Sequence, residues 1–179
     1  MPSPLGHMLG GLAAGWAVAG SPTDRPSRAR EAILFAGLGA AADLDLLMAG
    51  VHRGPTHSVA AALVVGVAVG AIHRLVVSGR RGRIGSIIVA MACAAAYGSH
   101  VLLDWLSSDN SAPIGIMALW PYTREYYESD LRVFMAISRR YYHGWTFIWQ
   151  NLVAISRELA ILLPLLSVVM MLRRSQRMR

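Results

Sequence analysis

Residues 84–106 read IGSIIVAMACAAAYGSHVLLDWL, an almost unbroken apolar run that closes on His100-Val101-Leu102-Leu103-Asp104. A helix crosses the hydrocarbon layer of a bilayer with around 20 apolar residues, in a range of about 17–25. The stretch therefore predicts a membrane helix with two ionisable groups in its last turns. Their i, i+4 spacing puts both on one helical face. Outward from this run, three more reach spanning length, at about 29–50, 57–77 and 147–172, and a shorter Gly- and Ala-rich run covers about 5–20. That first run is marginal: it either tilts across or enters the membrane only partly. A chain of 179 residues makes one domain. The predicted fold is all-α, an integral membrane bundle of about five membrane helices over residues 1–179.

Composition supports that class. Apolar residues make up 55% of the chain and charged residues 15%, against about a quarter in soluble domains, and the mean hydropathy is +0.44. The formal charge is +7 and every basic residue is Arg. These arginines sit in short clusters between apolar runs, such as Arg80-Arg81-Gly82-Arg83 and Arg173-Arg174. That placement fits topology-setting loops rather than a phosphate-binding stripe, so the bilayer is the expected partner and nucleic acid is not. The single cysteine, Cys93, excludes an internal disulfide and a thiol-rich zinc site, and is expected to pack as a small apolar residue. The first residues lack a basic n-region, so the first apolar run is expected to be retained.

The gaps are punctuated by Pro and polar residues. Arg53-Gly54-Pro55-Thr56 separates the second and third runs, with Thr56 the expected N-cap of the third helix. Residues 107–145 form the one long hydrophilic interval; Trp120-Pro121-Tyr122, Tyr126-Tyr127 and Tyr141-Tyr142 suit the headgroup interface. Amphipathic helices lying on the bilayer are expected there. Sides are assigned by Arg alone. One side holds Arg25, Arg28, Arg30, Arg74, Arg80, Arg81, Arg83, Arg173, Arg174, Arg177 and Arg179; the other holds Arg53, Arg124, Arg132, Arg139 and Arg140. The positive-inside rule places the richer set in the cytoplasm and the 107–145 interval outside.

On that scaffold the ionisable residues converge. His7 opens the first run, Asp43 and Asp45 end the second, His52, Arg53 and His57 occupy the turn into the third, and His100 and Asp104 end the fourth. All fall at the outer ends. An Asp at membrane depth costs about 2.5–3.5 kcal/mol on insertion scales, and a divalent cation offsets that cost because carboxylates and imidazoles are its natural ligands. Asp43 and Asp45, at i, i+2, do not share a helical face, so one is expected to ligate and the other to orient a histidine. Each residue also has a plainer reading: an exposed His7, a polar turn at His52-Arg53, interfacial His73 and His143, a structural His100–Asp104 hydrogen bond, and a paired Arg157-Glu158. The aggregate of His7, Asp43, Asp45, His57, His100 and Asp104, with His52 as a further candidate, favours a metal site.

Gly6-His7, Ala42-Asp43-Leu44-Asp45, His52-Arg53-Gly54-Pro55-Thr56-His57-Ser58, His100-x-x-x-Asp104, then Asp109 and Leu119-Trp120-Pro121-Tyr122 follow in order. Over residues 3–125 this series resembles the YdjM family of bacterial inner-membrane proteins, described as membrane-bound metal-dependent hydrolases. The family is in turn distantly similar to zinc-dependent phospholipase C and S1/P1-type nucleases. The resemblance implies His7, one of Asp43 or Asp45, His57, His100 and Asp104 as ligands. Those soluble enzymes use further His and Glu ligands near the C-terminal end, which Glu125, Glu128 and His143 do not match by motif. One or two zinc ions are therefore implied rather than three.

The function expected is hydrolysis of a phosphoester in a lipid or lipid-linked substrate at the outer face of the inner membrane. Metal would acidify a water. Asp43 or Asp45 would bridge ions or accept the proton, Arg53 would pair with a phosphate oxygen, and Asp109 would bind the headgroup or protonate the leaving group. The alternatives are a metal or proton transporter, whose polar groups belong near the midplane, and a non-catalytic membrane protein with a structural metal.

Overall fold

The computed structural model describes residues 1–20, 24–47, 52–77, 79–109, 112–138 and 141–177. Among them are five α-helices: α1 (Pro4–Ala19), α2 (Arg25–Ala40), α3 (Val59–Val76), α4 (Gly79–Trp105) and α5 (Trp145–Arg177). Ser3 starts α1 by accepting from the Gly6 amide and Asp24 starts α2 by accepting from Ser27, each just ahead of a helix-opening proline. Three helices are long and apolar enough to cross a bilayer: α3, residues 82–105 of α4, and residues 145–173 of α5. At 16 residues, α1 rises only about 24 Å against a hydrocarbon layer of about 30 Å. The start of α2 is occupied by Arg25, Arg28, Arg30 and Glu31. Among the described residues, three of the about five expected spans meet that length.

α4 is the hub, packed against α1, α2 and α3, while α5 lies on α1. Small residues let the backbones approach. A Cβ at Gly66 or Gly70 of α3 would strike Ala90 or Ala94 of α4, and one at Gly39 of α2 would strike the His7 carbonyl and Gly11 of α1. Trp16, Phe35, Ala92, Cys93 and Ala96 form the main core, so Cys93 is a packing residue. Apolar side chains such as Val64, Val67 and Leu75 on α3 and Val168 and Met171 on α5 face outward, as lipid contact requires.

Four expectations are corrected. α2 does not run on from 29 to 50: it ends at Ala40, and Ala41–Leu47 winds on as a 3-10 helix. Residues 107–145 hold no amphipathic α-helix among the described residues. Pro113, Gly115, Pro121 and Gly144 interrupt any helical register there, and the segment is irregular, with isolated bridges joining Ser107 to Phe134 and Ile116 to Tyr127. It folds back as a cap. Val59 donates to the Ala118 carbonyl, Met117 to that of Arg53, Ser129 to that of Trp105 and Ile137 to that of Met1. Ser58, not Thr56, caps α3, its hydroxyl accepting from Ala61. Finally, Arg157 and Glu158 do not pair. Glu158 is buried and accepts from the Ser3 amide at 2.7 Å and from the Ser3 hydroxyl, whereas Arg157 reaches the Arg132 carbonyl. Of the arginines used to assign sides, Arg139, Arg140 and Arg179 lie outside the described residues, as do the side chains of Arg80, Arg81, Arg174 and Arg177 and the ring of His143.

Candidate metal centre

His7 from α1, Asp43 from the 3-10 segment, His57 from the turn before α3, and His100 and Asp104 from α4 meet at one end of the bundle. The winding of the 3-10 segment matters here. At 3.6 residues per turn, side chains two apart diverge by about 160°; at three per turn they diverge by about 120°. Asp43 and Asp45 therefore flank the same imidazole. Asp45 Oδ2 lies 3.2 Å from His57 Nδ1, and Asp43 Oδ1 lies 3.8 Å from His57 Nε2.

Each of two histidines has one nitrogen committed outward. His100 Nδ1 donates to the Gly39 carbonyl at 2.7 Å, and His57 Nδ1 faces Asp45, itself held by the Thr56 hydroxyl at 2.7 Å. Both Nε2 atoms are left pointing inward. His57 Nε2 lies 3.1 Å from His100 Nε2 and 3.5 Å from Asp104 Oδ2. His100 Nε2 lies 3.4 Å from Asp104 Oδ2 and 3.8 Å from Asp43 Oδ1. Zinc bonds of about 2.0–2.2 Å in a tetrahedron set ligand atoms about 3.3–3.6 Å apart. The donor atoms stand close to that spacing, with Asp43 slightly too far. His7 stacks on His100 with ring centroids 3.7 Å apart and sets Nε2 3.3 Å from the other Asp104 oxygen, Oδ1.

The centre is closed and under-satisfied. His7, His57 and His100 are 0% exposed; the Asp43 side chain is 16% exposed, with its inward oxygen Oδ1 buried. Both Asp104 oxygens, Asp43 Oδ1 and both ring nitrogens of His7 have no hydrogen-bond partner among the described residues. Buried polar atoms without partners are costly, and a cation is the group that answers donors of this kind together. The residues fit a divalent metal: His7, Asp43 and His100, or His57, His100 and Asp104, could hold one, and so could Asp43 and His57 together with His52. Burial opposes charge on the His57 ring, but Asp43, Asp45 and Asp104 outweigh it and push its pKa up to about 9. Burial likewise opposes charge on Asp45, yet His57, His52 and Thr56 hold its carboxyl well below the usual carboxylate range.

The family model for YdjM inner membrane proteins matches residues 1–178. The chain belongs to the YdjM family. No curated protein and no solved structure matches it.

In this YdjM protein Arg53 and Asp109 lie beside the donor cluster rather than in it, while His52 stands at its edge, within ligand range of Asp43 and His57. His52 turns Nδ1 to Asp45 at 2.7 Å and Nε2 to Met1 Sδ at 3.1 Å. The Arg53 guanidinium, buried, pairs with Asp109 and donates to the Pro113 carbonyl at 2.7 Å, while its amide donates to Asp45 Oδ2. Asp109 also accepts from the Gly115 amide. His73 bonds Ser86 at the other end of α3. Two contributors went unnoticed in the sequence. Thr56 lies within the His52–Ser58 string and was readable there as a polar neighbour of His57; the Gly39 carbonyl carries no signal.

Proposed function

We propose that the protein is a membrane-embedded metal-dependent hydrolase acting on a phosphoester of a lipid or lipid-linked substrate at the outer face of the inner membrane. The observation that carries this reading is the inward pair of histidine nitrogens, with Asp104, at the spacing of a zinc shell whose remaining side is the partly exposed Asp43. His57, His100 and Asp104 would hold the ion, and His7, against the second oxygen of Asp104, extends the set towards a second ion. A zinc ion in this position supplies Lewis acidity and lowers the pKa of water towards about 7.

The chain's own residues do the rest. Asp45 and Thr56 fix the His57 ring and the Gly39 carbonyl fixes His100, as outer partners of metal-binding histidines do. Asp43, whose side chain is partly exposed, would receive the proton of an attacking water. Arg53 and Asp109 bond each other, which supports a positioning role holding the cap over the centre rather than direct contact with phosphate. Burial of the three histidines favours a second reading, a structural metal, since structural zinc sites are closed.

Release of headgroup or phosphate from labelled phosphoester lipids in proteoliposomes, with zinc-loaded protein, separates the two. The hydrolase turns over lipid, and Asp43→Asn retains metal while turnover falls about 10²–10⁴-fold, the usual range for a general base. A fully metallated wild type without turnover on any phosphoester lipid leaves the structural reading alone.

A further inference from the structure

α3 and α4 touch closely at one half and part at the other. Gly66 and Gly70 press against Ala90, Ala94 and Ser86, but nearer the metal-centre end the helices leave a cavity of about 480 Å³. That volume is within the range of ligand sites, about 300–1,000 Å³. Its floor is small, made by Ala62, Ala94 and Gly98; its walls are Leu63 and Leu102; its upper rim is Trp105, Leu119 and Tyr127.

Gly98 is telling. A Cβ there would meet only Ala62, at an ordinary 3.6 Å, so no helix contact requires glycine at this position. What the missing side chain provides is depth. Leu63 and Leu102 are 59% and 52% exposed on helices long and apolar enough to cross a bilayer, so the groove opens sideways into hydrocarbon. The lining is apolar apart from the Trp and Tyr heteroatoms, which leaves a water-soluble ligand nothing to bind. From Ala94 to Trp105 the groove runs about 16 Å along α4, about half of a hydrocarbon layer of about 30 Å. That is the depth of one leaflet. Trp105 and Tyr127 then stand at the level of the headgroups, where such side chains concentrate.

We propose that this groove is a binding site for one acyl chain of a membrane glycerophospholipid. It is distinct from the metal centre: Gly98, Val101, Leu102 and Trp105 form a stripe turned about 120° around α4 from His100 and Asp104. The inference stands whether or not the protein is a hydrolase.

The test is native mass spectrometry of the full chain purified in mild detergent, comparing wild type with Gly98→Leu, which fills the floor, and Leu63→Trp, which closes the wall from an exposed position. Circular dichroism and thermal unfolding check the fold of each. The wild type retains one glycerophospholipid per chain, and both variants lose that adduct with helicity intact. Should Gly98→Leu fail to fold, Leu63→Trp decides alone. Equal retention by wild type and folded variants, or a wild type carrying only detergent, overturns the proposal. So does a wild-type dimer that the variants dissociate, because the occupant would then be a second copy of the chain.

Discussion

At the scale of single residues, a proton on His57 and the proposed metal would compete for one place. His57 is held at about 9 in the fold against an ordinary value of 6.5 for the side chain. Its contribution to the stability of the metal-free protein is therefore complete below about pH 6.5 and fades as pH rises through about 9. A metal must displace that proton. Zinc affinity is accordingly expected to rise from pH 6 to about 9 and then level off, and calorimetric titration at several pH values, with the released protons counted, checks it. A flat profile would remove His57 from the ligand set. Asp45 acts through His57, fixing the ring from the Nδ1 side. Asp45→Asn is expected to weaken zinc binding about 10–100-fold and to lower the pH at which binding levels off, a shift that a purely structural residue would not cause. The arrangement of Asp43-Leu44-Asp45 was legible only in part. Two carboxylates two residues apart announced different roles, but their shared approach to one imidazole depends on a change from α to 3-10 winding, which the apolar pattern of the run to residue 50 conceals.

At the scale of elements, the site depends on how closely α1 and α2 approach. Gly39 is at once the point of contact with Gly11 and the carbonyl that orients His100. Gly39→Ala would place a methyl against the His7 carbonyl and the Gly11 backbone. It is expected to strip metal from the protein without altering any donor. Gly37, two residues earlier, has open space around its would-be Cβ; Gly37→Ala is expected to leave metal content unchanged and to be neutral or stabilising by up to ~1 kcal/mol. Metal analysis and melting temperatures of the pair test this. Equal metal loss in both, or in neither, would show that the helix contact does not set the site. Glycines of both kinds look alike in a sequence; only the neighbouring helix distinguishes them. The cap of α3 shows the same limit. Thr56 and Ser58 are both N-cap types, Ser the better of the two; Ser58 caps the helix while the Thr56 hydroxyl bonds Asp45.

Across the whole molecule, the gathering of His7, Asp43, His57, His100 and Asp104 was the most legible feature. Arg placement and run lengths set the direction of each helix, and direction sets the end at which each polar residue emerges. The 107–138 part of the hydrophilic interval was least legible, because its order comes from backbone bonds to Arg53, Val59 and Trp105 rather than from any periodicity of its own. Sidedness has its own test. With Cys93 buried, Glu125→Cys in the exposed cap is expected to react with a membrane-impermeant maleimide in intact cells, and Val77→Cys only after lysis. The opposite pattern would put the centre on the cytoplasmic side.

The central claim, that His57, His100 and Asp104 share a cation with His7 and Asp43 beside it, is tested most directly by elemental analysis of purified protein beside His57→Ala and Asp104→Ala. The account predicts roughly one or two zinc equivalents in the wild type and a marked loss in both variants while helicity persists. Equal metal in all three proteins, or none in a wild type purified without chelator and offered zinc, would contradict it.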